Sequence, residues 1–436
     1  MENILQAGFA RVDITPDFPV GLAGYEPEEK RPCQGIRDPI YLTCIAVTSG
    51  DDTILLFDAD LCSVGDWGAE KICEVVSPAT GIPAERIYCG ATHTHSAPQF
   101  SIYNECQAPF YRLLLDAAVE AAREALADRT PAQLLCTAKN VKRMNFVRHY
   151  LMEDGSYWGS NFGSRATPHV NHAAESDPRL MLLRFAREGK KDIVLMNWQA
   201  HNDSVHFVGH NFLSSSYTGE VRKRFEAQTD TCFAFFQGAS GNQNPSSWIE
   251  QENHHIEDHF AYGRKLADYA VEFMKELKPV NGTDIVTTRR VFDAKVDHSL
   301  DHMVKEAKEV HELYLEKGKK EANALGKTYG FVTCYQAQHI LMRSQMGPTI
   351  PIVLNAFRIG DMAFITAGNE LFSTIGLHVR LHGPFENTFI ITGNKYYLPC
   401  MAAYEYGAYE AVTSRYVKGT AEAVADTFVE MLESIC

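Results

Sequence analysis

Apolar and polar positions fall along the chain in blocks of two kinds. Short apolar runs bounded by Gly, Asp or Asn predict buried strands at Tyr41–Val47, Thr53–Phe57, Gln133–Thr137, Met181–Phe185, Ile193–Trp198, Cys232–Phe236, Ala356–Phe364 and Thr388–Thr392. Apolar residues recurring at helical spacing predict helices over Phe110–Leu126, Gly219–Ala227, Phe260–Leu277 and Gly419–Ile435. Asp301–Gly318 carries Glu and Lys at i, i+4 spacing and reads as a solvent-facing helix. Ala322–Gly347 has no clear period and reads as further helix running into loop. Strands interleaved with helices, without a linker, a repeat or a low-complexity stretch, predict an α/β class. The expected architecture is a mixed β-sheet core flanked by helices, in one large domain spanning residues 1–436.

Composition narrows the function classes. The net charge is −14 and no Lys/Arg-rich stripe exists, which argues against a nucleic-acid partner, because phosphate binding needs a basic face. No apolar run approaches the ~20 residues of a membrane-spanning helix. The N-terminus has no basic, then apolar, leader pattern. The 11 Cys are scattered without a C-x-x-C, which suits reduced thiols in a cytoplasm and small buried side chains.

Five segments carry candidate chemistry. Cys89-Gly-Ala-Thr-His-Thr-His-Ser-Ala-Pro98 sets His93 and His95 two residues apart. On extended backbone such a pair shares one face and can converge on a metal, although H-x-H also occurs in ordinary loops. In Asn197-Trp-Gln-Ala-His-Asn-Asp-Ser-Val-His206, His201 directly follows an apolar strand. That is a common catalytic placement, and equally a place for a structural His. Gln237-Gly-Ala-Ser-Gly-Asn-Gln-Asn-Pro245 is a Gly-rich turn that can hold backbone N–H groups near an anion. Ser240 is not expected to be a nucleophile, because Asn242 stands where a nucleophile elbow needs Gly. Thr366-Ala-Gly-Asn-Glu-Leu-Phe-Ser-Thr-Ile-Gly376 places Glu370 at the start of a possible helix, as dipole partner or ligand. Gly393-Asn-Lys-Tyr-Tyr-Leu-Pro399 places Tyr397 in a turn. His255-Ile-Glu-Asp-His259 spaces two His by four, but Glu257 is misplaced for H-E-x-x-H, so it reads as a solvated helix start.

Taken in order, these five segments resemble the neutral/alkaline (non-lysosomal) ceramidase family. Gly8-Phe-Ala-Arg-Val-Asp-Ile-Thr-Pro16 looks like that family's opening, and Gly24-Tyr25, Gly35-Ile-Arg-Asp-Pro-Ile-Tyr41 and Asp58-Ala-Asp60 continue it. The resemblance runs from about residue 7 to the end. It is weakest over 285–350, a divergent segment expected to wall the pocket.

The resemblance implies one zinc ion held by His93, His201, Glu370 and Tyr397. It implies that His95 faces the substrate and that Arg148, in Asn145-Phe-Val-Arg, is an active-site arginine. Two departures stand out. The family's G-D-V-S-P turn is here Gly241-Asn-Gln-Asn-Pro245, so Asn244 replaces its serine and Asn242 its aspartate. Ser240, Asn242 and Asn244 remain the expected substrate contacts. The family's C-terminal immunoglobulin-like domain and secretion signal are not expected here.

The implied function is a zinc-dependent hydrolase that cleaves an amide bond with metal-activated water, on a small molecule smaller and more polar than ceramide. Tyr397 or Arg148 would steady the oxyanion, and His95 would pass a proton to the leaving nitrogen. An ester, a lactone or a sugar-linked group fits the same residues. So does a metal-containing binding protein without catalysis, and iron or manganese also suits His, carboxylate and phenolate ligands. The oligomeric state has no signature in the sequence.

Overall fold

The apolar runs become two β-sheets laid face to face. The computed structural model describes residues 4–25, 30–100, 108–158, 169–172, 174–203, 211–245 and 259–436. The first sheet runs, in spatial order, Cys232–Gln237, Ile193–Trp198, Arg179–Arg187, Thr130–Asn140, Leu5–Asp13, Tyr41–Ser49, Asp52–Ala59 and Ile87–Ala91. Its two outermost pairs are parallel and the pairs between them antiparallel. The second sheet has the order Ile285–Lys295, Thr349–Ile359, Met362–Ala367 and Thr388–Thr392, and its last pair is parallel.

Strand periodicity explains how both faces of the first sheet are filled. Ile45, Val47, Ile54 and Leu56 point inward to Phe357, Ile359, Phe364 and Phe389 of the second sheet. Tyr88 stacks on Phe357 with ring centroids 4.3 Å apart. The alternate residues Cys44, Ala46, Leu55 and Phe57 point outward to the helices Gly65–Thr80 and Ala108–Ala127. Helices Ser216–Thr229 and His259–Phe273 cover the rest of that outer face. Helices Ser373–His382 and Thr420–Glu433 cover the outer face of the second sheet. Strands buried on both faces read as continuous apolar runs, which is why they were visible in the sequence. The result is four layers: helices, sheet, sheet, helices.

Several expected elements need correcting. Ala356–Phe364 is not one strand: Gly360 (φ 55°) turns the chain, and two strands form a hairpin there. Ile285–Lys295 leaves most of its residues half-buried or exposed, so it offered no apolar run. Ala322–Gly347 holds two helices, Lys319–Thr328 and Cys334–Arg343. Helix Val304–Lys317 is not wholly solvent-facing. Its Ala307, Val310 and Tyr314 are buried with Ala322, Ala337 and Ile340 in a small core of their own. The segment 285–350 is therefore a sheet strand followed by a three-helix insert. His255-Ile-Glu-Asp-His259 lies outside the described residues apart from its last residue, where a helix begins, and the stretch from Ser204 to His206 lies outside them too. No helix among the described residues is long and apolar enough to cross a membrane.

The three parallel strand pairs of the two large sheets end on one side of the molecule. The loops after Ile87–Ala91, Ile193–Trp198, Cys232–Gln237, Met362–Ala367 and Thr388–Thr392 carry the five candidate segments. Ligand sites form at such carboxyl ends of strands. Asn197 ties the two sheets together there, donating to Phe236 O and Ile390 O and accepting from Ile390 N.

Candidate metal centre

His93 leaves its strand through a left-handed residue (φ 64°), not through extended backbone, so the simple two-residue alternation with His95 does not hold. The tight bend still brings the two rings together, with Nε2 atoms 3.2 Å apart. His201 joins them, its ring centroid 4.5 Å from that of His93. Glu370 lies in a two-residue strand, Glu370–Leu371, with the helix beginning only at Ser373. Tyr397 lies in the matching strand Tyr397–Leu398 rather than in a turn, and pairs in register with Glu370. Gly241 packs under this ladder. A Cβ there would lie 2.8 Å from Glu370 O, so only Gly fits.

The donor atoms converge. Glu370 Oε2 is 3.4 Å from His93 Nε2 and 3.5 Å from His201 Nε2. Donors each 2.0–2.1 Å from a tetrahedral ion lie about 3.3 Å from one another. Each imidazole is fixed through its other nitrogen: His93 Nδ1 lies 2.6 Å from Cys62 O, and His201 Nδ1 2.9 Å from Ser240 O. Pinning Nδ1–H to a carbonyl turns the Nε2 lone pair inward, as metal-ligating His require. Glu370 Oε2 and His201 Nε2 are buried without a hydrogen-bond partner. Two orphaned acceptors at this spacing fit a cation.

The electrostatics agree. Burial opposes a charged His93, but Glu370 and Cys62 outweigh it and raise its pKa well above the ordinary imidazole range. Burial, with Arg148, His93 and His95, pushes His201 well below that range. A second grouping, Cys62, His93 and His95, also has donors within reach of one another.

His95 is wedged from behind. Gly24 (φ 111°) passes so close that a Cβ would sit 2.6 Å from His95 Cβ. Tyr25 meets the His95 ring edge-on at 4.9 Å and donates to Asp203 O. Arg31, fully buried, donates to His95 O at 3.1 Å and lies over the Tyr25 ring.

Arg148 fills the other side. Its Nε donates to Glu410 Oε1 (2.6 Å), Nη1 to Asn244 Oδ1 (3.2 Å), and Nη2 to Gly241 O (3.0 Å) and Tyr397 Oη (3.2 Å). Burial and Glu370 raise the pKa of Tyr397 against the pull of Arg148. Asn242 and Ser240 are buried and tied to protein. Asn242 exchanges two hydrogen bonds with Ser373 at the start of a helix, and Ser240 Oγ accepts from Gln237.

Sequence reasoning missed Cys62, Arg31, Asn394, His149 and Glu410. Asn394 (φ 55°) donates to Ala91 O, which ties the Tyr397 loop to the strand before His93. Glu410 had no motif around it. Only the need of a buried guanidinium for a carboxylate pointed to such a partner, without saying where it would be.

No family model matches the sequence, and no curated protein matches it. Solved structures do. A neutral ceramidase from Pseudomonas aeruginosa superposes with a TM-score of 0.74 at 17% identity, over 100% of this chain and 75% of that one. A ceramidase complexed with C2 superposes with a TM-score of 0.71 at 16% identity, over 100% of this chain and 76% of that one. The chain shares its mixed α/β fold with these proteins along its whole length.

Proposed function

We propose that this chain is a metal-dependent hydrolase that cleaves an amide bond, with one zinc ion held by His93, His201, Glu370 and Tyr397. The observation that carries this reading is the approach of two pinned imidazoles to one orphaned carboxylate oxygen, at 3.4 and 3.5 Å. The fold shared with ceramidases supports an amide as the scissile bond.

When bound, zinc supplies a Lewis acid for the carbonyl and lowers the pKa of water to about 7. The chain's own residues do the rest. Arg148, beside Tyr397 Oη, faces the negative charge that develops on the carbonyl oxygen. His95, held by Gly24 and Tyr25, carries the proton to the leaving nitrogen. Asn244 gives its Oδ1 to Arg148, which leaves its NH₂ group for a polar group of the substrate. Asn242 and Ser240 serve as framework around the turn rather than as substrate contacts. The polar groups gathered here, Arg148, Asn244 and Tyr397, suit a substrate smaller and more polar than ceramide.

His93 and His201 come from loops of the first sheet, Glu370 and Tyr397 from loops of the second, which supports treating residues 1–436 as one catalytic domain. The three-helix insert reaches this site through Tyr335, whose ring meets Tyr409, which in turn meets Tyr397. The ten described cysteines are free thiols, which suits a cytoplasmic protein. Metal analysis beside a panel of N-acyl amides, esters and lactones tests the proposal. Near one zinc per chain and amide turnover are expected. Turnover of esters or lactones alone would reassign the bond, and full zinc with no turnover of any class would sink the enzyme reading.

A further inference from the structure

Arg148 and His149 are neighbours in sequence, yet both side chains end on one carboxylate. Arg148 Nε donates to Glu410 Oε1 at 2.6 Å, and His149 Nε2 lies 2.8 Å from Glu410 Oε2. His149 Nδ1 lies 2.9 Å from Tyr406 Oη, and the Tyr406 ring stacks on Tyr157 at 4.9 Å. Glu410, Arg148 and His149 are all buried. A chain of contacts therefore runs from the half-exposed Tyr157 to the hydroxyl of Tyr397, with Glu410 at its centre.

A guanidinium has five N–H donors. Four hydrogen bonds use Nε once, Nη2 twice and Nη1 once. One N–H on Nη1 remains. The plane of the group decides where that N–H points, and the short bond to Glu410 fixes the plane at the Nε corner. Gly241 O and Asn244 Oδ1 are neutral acceptors and hold it less firmly. A buried Arg beside a cationic site also needs a carboxylate to offset its charge.

We propose that Glu410 is a positioning residue for the reaction: it orients Arg148 so that the last N–H meets the developing oxyanion, and His149 and Tyr406 in turn orient Glu410. This rests on the hydrolase reading of the site. Glu410 does not touch the substrate and moves no proton.

The test uses Glu410→Gln and Glu410→Asp in the full chain, loaded with Co²⁺ so that the metal environment can be read by absorption. Four readouts are taken: metal stoichiometry, the Co²⁺ spectrum, kinetics on an N-acyl amide, and binding of a short alkylphosphonate as an oxyanion mimic. Both variants should bind one metal with an unchanged spectrum. Glu410→Gln should lose 10- to 100-fold in kcat with KM within about threefold, and bind the phosphonate at least tenfold more weakly. Glu410→Asp, which keeps the charge, should recover part of both losses. His149→Gln should lose about three- to tenfold. Unchanged kcat and phosphonate affinity in a folded, metal-loaded Glu410→Gln would overturn the proposal. So would a wild-type protein that does not bind the phosphonate. Phosphonate binding needs no turnover, so a wild type silent on every amide would sink the function reading alone. If Glu410→Gln does not fold, Glu410→Asp and His149→Gln carry the same comparison.

Discussion

The two halves of the site are equally buried and treated in opposite ways. In one half, Glu370 Oε2 and His201 Nε2 have no hydrogen-bond partner. In the other, Arg148 makes four hydrogen bonds, and both oxygens of Glu410 are taken by Arg148 and His149. Each buried ion costs several kcal/mol unless its partners are close and well oriented. The protein itself meets that cost for Arg148 and Glu410. For the His/Glu cluster it provides spacing and orientation and leaves two acceptor atoms without a partner. On the proposed reading, the difference separates a group that must be rigid before anything binds from one that is completed by binding.

The largest effect should come from breaking the half that depends on a ligand. His93→Ala removes one donor and should abolish both bound zinc and activity, a loss on the order of 10⁴-fold or more. A variant that still holds near-stoichiometric zinc would sink the ligand assignment. An ion present at about 1,000 times its Kd stabilises the folded state by about 4 kcal/mol, so a chelator should lower the wild-type melting temperature by several degrees. The same chelator should leave the melting temperature of His93→Ala unchanged. The self-contained half should show no such dependence.

Arg148→Ala tests that half directly. The metal donors are untouched, so zinc content should stay near one per chain. Turnover should fall by about 10²- to 10³-fold through loss of oxyanion stabilisation. Stability should also fall, by about 3–5 kcal/mol, because Glu410 is left buried with His149 alone. Unchanged kcat/KM would count against the role of Arg148. Zinc lost together with activity would mean that the halves are not separable.

This split also explains what could be read from the sequence. Strands such as Ile193–Trp198 were visible because both faces are buried, whereas Ile285–Lys295 was hidden by its exposed residues. His93, His201, Glu370 and Tyr397 lie in short segments with their own local pattern, each just after a strand. Their convergence was suggested only by resemblance, since spacing along the chain says nothing about the 3.4 Å between His93 and Glu370. Glu410 was invisible. It sits in the short helix Tyr409–Val412, and it is 262 residues from Arg148. Asn242 reads as a substrate contact because the turn around it carries the resemblance, and its amide also exchanges two hydrogen bonds with Ser373. A motif marks where chemistry gathers, and the hydrogen bonds show what each side chain there already holds.

The smallest predicted effect concerns acid. Burial works against ionised Glu410, but Arg148 and His149 overcome it and hold the carboxyl down at about 2. An unfolded Glu titrates near 4.3. The folded pKa is thus the lower one, so ionised Glu410 stabilises the fold fully above about pH 5, and that contribution is lost as pH falls towards 2. The two values correspond to roughly 3 kcal/mol. The phenols of Tyr397, Tyr406 and Tyr409 are raised by burial and do not titrate in this window. Glu410→Gln should therefore melt below the wild type at pH 7, and the gap should narrow steadily between pH 5 and pH 2. Urea midpoints of the two chelated proteins measure this without interference from metal loss. A gap that stays constant over that range would show that Arg148 and His149 do not hold Glu410 ionised, and the contrast between the two halves of the site would then fail.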